Sequence, residues 1–224
     1  MNPLLVDANR VHAQLWRNGG GYTRELLVWP TAQDWLFRIS LAQVAQNGPF
    51  SSFPGVERWI ALVEGAGMTL RFASGSERLS IGGAPLRFDG ARAPACSLER
   101  GATLDLNLMV DRSRGSGLLA CAGDGEWTDG SEWRGVFAAS PCTLWIKDGP
   151  PVELGAMVLL AQAGAARECW RLTARGAQVR ARWIAVVTPR YEEPECCAIE
   201  PVRSSANRAL PGRNSAIYGT GEST

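Results

Sequence analysis

RWIALVEG (58–65) and MTLRF (68–72) are two apolar runs separated only by Ala66 and Gly67. Each is a short stretch of branched and aromatic side chains that stops at a turn-forming residue, the pattern of one β-strand folding back on the next. The same pattern recurs on both sides of this pair. Upstream stands WLFRISLA (35–42); downstream come PLRF (85–88), TLDLNLMV (103–110), TLWIKDG (143–149), AMVLLA (156–161), CWRLTA (169–174) and VRARWIAVV (179–187). Helix signals are scarce. Many short strands joined by Gly-rich turns predict an all-β barrel or sandwich, and nine tryptophans suit a pleated interior.

An internal echo suggests two halves. ALVEG (61–65) followed by GGAPLRF (82–88) resembles LWIKDG (144–149) followed by LGAMVLL (154–160), each an apolar strand ending in a turn and then a Gly-initiated strand. With a break near RSRGSGL (112–118), the expected organisation is an N-terminal barrel over 1–112 holding the ligand pocket and a second half over 113–188. Residues 189–224 lose all periodicity and are rich in Pro, Ser, Gly and charge; they read as a disordered or loosely docked tail.

Composition excludes several function classes. Lys and Arg number 23 against 22 Asp and Glu, a net charge of +1, and the charges are scattered. That is no electrostatic footprint for nucleic acid or an anionic membrane. MNPLLVDANRVHAQLW (1–16) has no basic and apolar signal pattern, and no stretch is long enough to span a bilayer, so a cytoplasmic protein is expected. Six cysteines without a Cys-x-x-Cys pair read as reduced, mostly buried small residues. The single histidine, His12, rules out two-His metal sites and leaves one candidate partner for a Ser or Cys nucleophile. It is expected at the surface or a strand edge.

The segment 46–97 has the spacing of the two cupin motifs. The first runs G-x5-H-x-H-x3-4-E-x6-G; with Gly65 as its closing glycine, Arg58 falls on the glutamate, and Ser52 and Pro54, or Ser51 and Phe53, fall on the histidines. The second motif, started at Gly82, places Phe88 on its proline, Gly90 on its glycine, Ala93 on its histidine and Ser97 on its asparagine. Turn glycines stay while every ligand position is apolar, a hydroxyl or a cation. A guanidinium cannot coordinate a divalent ion and repels it, so no metal and no cofactor is expected.

Four ordered strings are more specific: WRNGGGYTREL (16–26), DWLFRISLA (34–42), NGPFSSFPGVERWIALVEG (47–65) and LDLNLM (104–109). Together they resemble the HutD/Ves family, metal-free bicupins encoded with bacterial histidine-utilisation genes. The resemblance covers residues 10–112 strongly and continues in general character to 188. It implies two cupin-like barrels of the RmlC-like jelly-roll type. It also implies a small cytosolic protein that tunes histidine catabolism by binding a small carboxylate metabolite, urocanate-like or formylglutamate-like. A homodimer is compatible with this reading.

Arg58 is the leading candidate for that carboxylate. On an alternating strand it shares a face with Ile60 and Leu62, opposite Trp59, Ala61 and Val63, and the cupin alignment turns that face into the barrel. A buried guanidinium needs an anion, either a ligand carboxylate or an internal partner, Asp105 or Glu57. Asp105 and Asn107 share the polar face of their strand, and Asn107 offers both a donor and an acceptor. Ser51 and Phe53, at former histidine positions, are expected to point into the cavity. Asn18 to Gly21 lack the Lys and Ser/Thr of a phosphate loop and read as a tight turn at the cavity mouth. Arg24 either rims the pocket or pairs with Glu25. Trp16 either stacks on a flat ligand or is core, and Arg38 and Ser40 are second-tier candidates. Two other classes stay open: a metal-independent enzyme using Glu25, Glu57 or Asp105 as acid and base, and a protein-interaction module.

Overall fold

The computed structural model describes residues 3–164, 167–176 and 179–188. The expectation of a tail over 189–224 lies outside these residues. In chain order the strands are β1 (Leu4–Asp7), β2 (Gln14–Leu15), β3 (Gly21–Pro30), β4 (Trp35–Val44), β5 (Gly48–Pro49), β6 (Val56–Glu64), β7 (Met68–Phe72), β8 (Gly75–Leu79), β9 (Leu86–Asp89), β10 (Ala95–Leu98), β11 (Thr103–Asp111), β12 (Ser116–Ala122), β13 (Gly125–Thr128), β14 (Trp133–Ala138), β15 (Cys142–Ile146), β16 (Val152–Leu154), β17 (Val158–Ala163), β18 (Cys169–Ala174) and β19 (Ala181–Val187).

These strands make four antiparallel sheets, and the two halves repeat one topology. The order β4-β11-β6-β9 in the first large sheet is matched by β12-β19-β14-β17 in the second, and β5-β10-β7-β8 by β13-β18-β15-β16. Each half is thus a two-sheet jelly roll, in line with the all-β, double-barrel expectation. The echo read from the sequence is one strand out in its first member. By topology β6 is equivalent to β14 (WRGVFA), not to the β15 segment, whereas β9 and β17 do correspond. An apolar strand that ends in a turn is too common a pattern to fix the match. The first sheet is extended by β3 and β2. The second is extended by β1, whose Leu4–Asp7 pairs with Val158–Ala161, so the N-terminal arm departs from a simple division at 112.

Period-two alternation makes the two large sheets amphipathic in an unusual sense, with both faces buried but in different company. On β11, Leu106, Leu108 and Val110 point to the second large sheet and pack with Phe137, Leu159 and Ile184, joining the halves back to back. Trp133 meets Phe37 edge-on at 5.3 Å and Trp29 at 4.8 Å in the same layer. The other face looks into the first barrel, where Ile60 and Leu62 pack with Met68, Leu70 and Cys96. The second barrel is filled by Trp127, Trp170 and Trp183, the first and last stacked at 4.7 Å. Exposed residues include His12. No helix among the described residues is long and apolar enough to cross a membrane.

Because Leu108 lies in the layer joining the two sheets, Leu108→Ala leaves a cavity shared by both halves. It should cost about 2–5 kcal/mol in chemical denaturation. Leu5→Ala, on the exposed edge strand, should stay within about 0.5 kcal/mol of the parent.

Candidate functional site

The inward face of the first large sheet floors a cavity of about 570 Å³. Strand register arranges its side chains in levels. Arg38, Met109, Arg58 and Phe88 stand side by side across β4, β11, β6 and β9; the next level holds Glu25, Ser40, Asn107 and Ile60; the next holds Thr23, Ala42, Asp105 and Leu62. One end of the floor is basic and the other carries an acid.

Arg58 is 7% exposed. Its guanidinium carbon lies 5.5, 5.4 and 5.0 Å from the ring centres of Phe50, Phe53 and Phe88, and one terminal nitrogen donates to the Ser51 carbonyl at 3.3 Å. Its Nε has no partner among the described residues, and no carboxylate of those residues comes within 4.0 Å. Three ring faces offset part of the lost hydration, at about 0.5–2 kcal/mol each, but they supply no acceptor. Burial pulls the Arg58 pKa down to about 10, so the group stays a cation at neutral pH.

Both internal partners considered for Arg58 are elsewhere. Glu57, one residue away and therefore on the opposite face, accepts from Trp59 Nε1 at 2.9 Å, from the Gly117 N–H at 2.9 Å and from Arg87. Burial pushes the Glu57 carboxyl up, but these hydrogen bonds outweigh it and the net shift is downward. Asp105 is two levels from Arg58, and neither of its oxygens has a hydrogen-bond partner. Burial holds its carboxyl well above the usual carboxylate range, against a smaller pull from the nearby Thr103 hydroxyl, which does not reach hydrogen-bond geometry.

The second half supplies an internal comparison. Arg134 opens β14, the strand equivalent to β6, and also points into its barrel against aromatic rings, 4.8 Å from Trp170 and 5.6 Å from Trp127. There the chain brings a carboxylate to the edge of ion-pair range, although Nε and Nη2 of Arg134 also lack hydrogen-bond partners among the described residues. Arg134 donates to the Glu168 carbonyl, and the Glu168 carboxylate lies at 4.0 Å.

The remaining predicted positions sort by the pleat. Trp16, Ser51, Phe53, Arg58, Asp105 and Asn107 all line the cavity, as do Arg38 and Ser40. Trp16 is held by a hydrogen bond from its Nε1 to Thr23 Oγ1 at 2.8 Å, and Asn107 donates to the Asp105 carbonyl at 3.3 Å. Arg24 does not line the cavity. It alternates out of phase with Thr23 and lies 4.6 Å over the Tyr22 ring on the far face, while Glu25 pairs with Arg38 at 2.5 Å. Ser52 bonds the Ala91 carbonyl, so the Ser51/Phe53 spacing is the one that reaches the cavity. Ala93 lies exposed in the turn before β10, and the inward residue of that strand is Cys96. The glycine loop has a steric role: a Cβ on Gly21 would sit 1.9 Å from the Gln43 carbonyl oxygen.

Phe50, Thr23 and Arg17 also line the cavity and were not singled out by the sequence, while Met109 lines it on the same strand face as Asp105 and Asn107. Thr23 was hidden because its strand was not recognised. Phe50 was within reach, being one residue from Ser51. A cupin-type divalent metal does not fit these donors. Among the described residues no group of three or more His, Cys, Asp or Glu converges, and Arg58 lies in the cavity instead.

Fold and site define a double-barrelled cupin-type protein with a metal-unsuited, arginine-containing cavity in its first barrel. The sequence model of the HutD family matches residues 8–174, and the chain belongs to that family. It is 36% identical over 166 residues to Protein Ves of Citrobacter koseri, covering 73% of this chain and 81% of the relative. Among solved structures, a conserved protein of unknown function from Pseudomonas aeruginosa PAO1 superposes with a TM-score of 0.77 at 25% identity. HutD from Pseudomonas fluorescens SBW25, in a formate condition, superposes with 0.73 at 25%; each match covers 84% of this chain and 100% of the other. Oxalate decarboxylase of Bacillus subtilis, at a TM-score of 0.57 and 9% identity over 83% of this chain and 76% of that one, shares the fold.

The unpartnered Asp105 carries a stability cost with a defined sign. Its folded pKa is raised, so the stability it permits is fully present below the unfolded value and is lost as pH rises through the folded value. Asp105→Asn should therefore raise the Tm of the ligand-free protein at pH 8 and leave it unchanged near about pH 4, read by thermal unfolding across pH.

Proposed function

We propose that this protein is a non-catalytic, carboxylate-binding regulator of histidine catabolism that acts in the cytoplasm. The observation that carries the reading is the buried Arg58 guanidinium, which meets three rings and one carbonyl but no anion among the described residues. A carboxylate on Arg58 would gain charge-assisted hydrogen bonds worth about 1.5–3 kcal/mol each. On the equivalent strand Arg134 has the Glu168 carboxylate at 4.0 Å, which supports pairing an inward arginine of this fold with a carboxylate. Membership of the HutD family fits an association with histidine utilisation, which points to carboxylates such as urocanate and formylglutamate. A catalytic reading has less to stand on: Glu57 faces away and Glu25 is tied to Arg38, so Asp105 would have to act alone.

Thermal-shift titration with histidine, urocanate, formiminoglutamate and formylglutamate tests the proposal. At least one should stabilise the protein, by about 2.7 kcal/mol at a hundredfold excess over Kd. Arg58→Met, which puts an apolar chain of similar length among the phenylalanines, should keep the fold and weaken that ligand at least about tenfold. Stabilisation by none of them, or equal stabilisation of Arg58→Met, overturns it.

A further inference from the structure

Arg58 accounts for one end of the cavity and leaves the other unexplained. Asp105 projects from β11 opposite Leu62, while Arg58 lies opposite Met109 on the same strand. At about 3.3 Å per residue the two levels are roughly 13 Å apart along the sheet. Asp105 is 0% exposed, and neither oxygen has a partner. Its neighbours do not meet it: Ala42 and Leu62 are apolar, the Thr23 hydroxyl, which accepts from Trp16, makes no bond to it, and the Thr103 hydroxyl on the same strand face falls short of hydrogen-bond geometry. Asn107, between the two ends, turns its amide N–H to the Asp105 backbone carbonyl and leaves the carboxyl alone.

Among the described residues the cavity therefore holds a cation without an anion and an acid without a hydrogen bond, too far apart to satisfy each other. We infer that the ligand is bipolar, a small carboxylate whose far end carries an N–H group, with Arg58 holding the first end and Asp105 the second. The inference rests on the reading of Arg58 as the carboxylate anchor. A simple aliphatic acid fills only the basic end and leaves Asp105 stranded. An acid with an apolar far end does no better, because it brings the buried carboxyl no partner. A ligand N–H donates to a carboxyl oxygen, and a carboxyl that keeps its proton can donate it to an acceptor on the same group. A site built around such a buried polar group discriminates strongly against an analogue that lacks the matching atom. Asp105 is thus a specificity residue.

The test is calorimetric titration of the full chain with two flat acrylates of similar shape. Imidazolyl acrylate (urocanate) carries a ring N–H; thienyl acrylate has the same carboxylate and a five-membered ring without one. The wild type should bind the imidazolyl compound at least about tenfold tighter. Asp105→Leu should bring the two within about twofold by weakening only the imidazolyl compound, and Arg58→Met should lose both. The wild-type comparison needs no variant, so it decides the matter even if Asp105→Leu does not fold. Equal wild-type affinities that both vanish in Arg58→Met overturn the bipolar ligand and leave the carboxylate anchor standing. Binding of both that is indifferent to Arg58→Met, or binding of neither, overturns the two together.

Discussion

Strand β11 has no face in water. Leu106, Leu108 and Val110 are committed to the layer that joins the two halves, which leaves Thr103, Asp105, Asn107 and Met109 to look into the first barrel. A slip of one residue would drive Asp105 and Asn107 between two apolar sheets and put leucines in the cavity. The same constraint holds on β6, where Arg58 and Glu57 are adjacent in sequence and opposed in space. Glu57 goes to the junction, where it accepts the Gly117 N–H of the second half, and Arg58 goes to the cavity. The site is thus a by-product of the register that holds the barrels together, which makes its polar groups hard to reposition without disturbing the core.

Within that frame, charge accounting separates the two barrels. Both carry an inward arginine on the equivalent strand, and both clothe it in aromatic faces. The second barrel is packed with three tryptophans and sets the Glu168 carboxylate 4.0 Å from its arginine. The first keeps a cavity and leaves its arginine open to an anion. One topology thus yields a half with a carboxylate beside its inward arginine and a half without one among the described residues, the difference lying in a few side chains and not in the strands. Asp105 adds a second cost at the same cavity, since a buried carboxyl without a donor weakens the ligand-free fold as pH rises. Two such costs in one cavity are intelligible if a ligand offsets both.

Much of this was legible in the sequence. The strands 68–72 and 169–174 stand at their observed limits, and the faces of β6 and β11 follow from alternation alone. What escaped has physical reasons. The ten residues of β3 were not recognised as a strand because a bulge between Glu25 and Leu27 breaks their alternation, and this concealed Thr23 and left Arg24 without its face. WRGVFA (133–138) is buried on both faces and does not alternate, so Arg134 and the true internal match went unseen. The second motif landed on Ala93 instead of the inward Cys96 because a spacing rule counts residues without knowing where the turn ends. That no carboxylate of the described residues meets Arg58 could not be read from sequence, since Glu57 and Asp105 were both within plausible reach until the sheet register placed them.

Everything proposed for the cavity turns on whether Arg58 is an anion site or a structural cation. A crystal structure of the protein grown with a saturating carboxylate reads this directly. An anion site should show two carboxylate oxygens about 2.7–2.9 Å from the Arg58 guanidinium, one of them on the unpartnered Nε. A guanidinium that instead turns to Asp105 or another side chain of the protein, with the carboxylate elsewhere or absent, would contradict it.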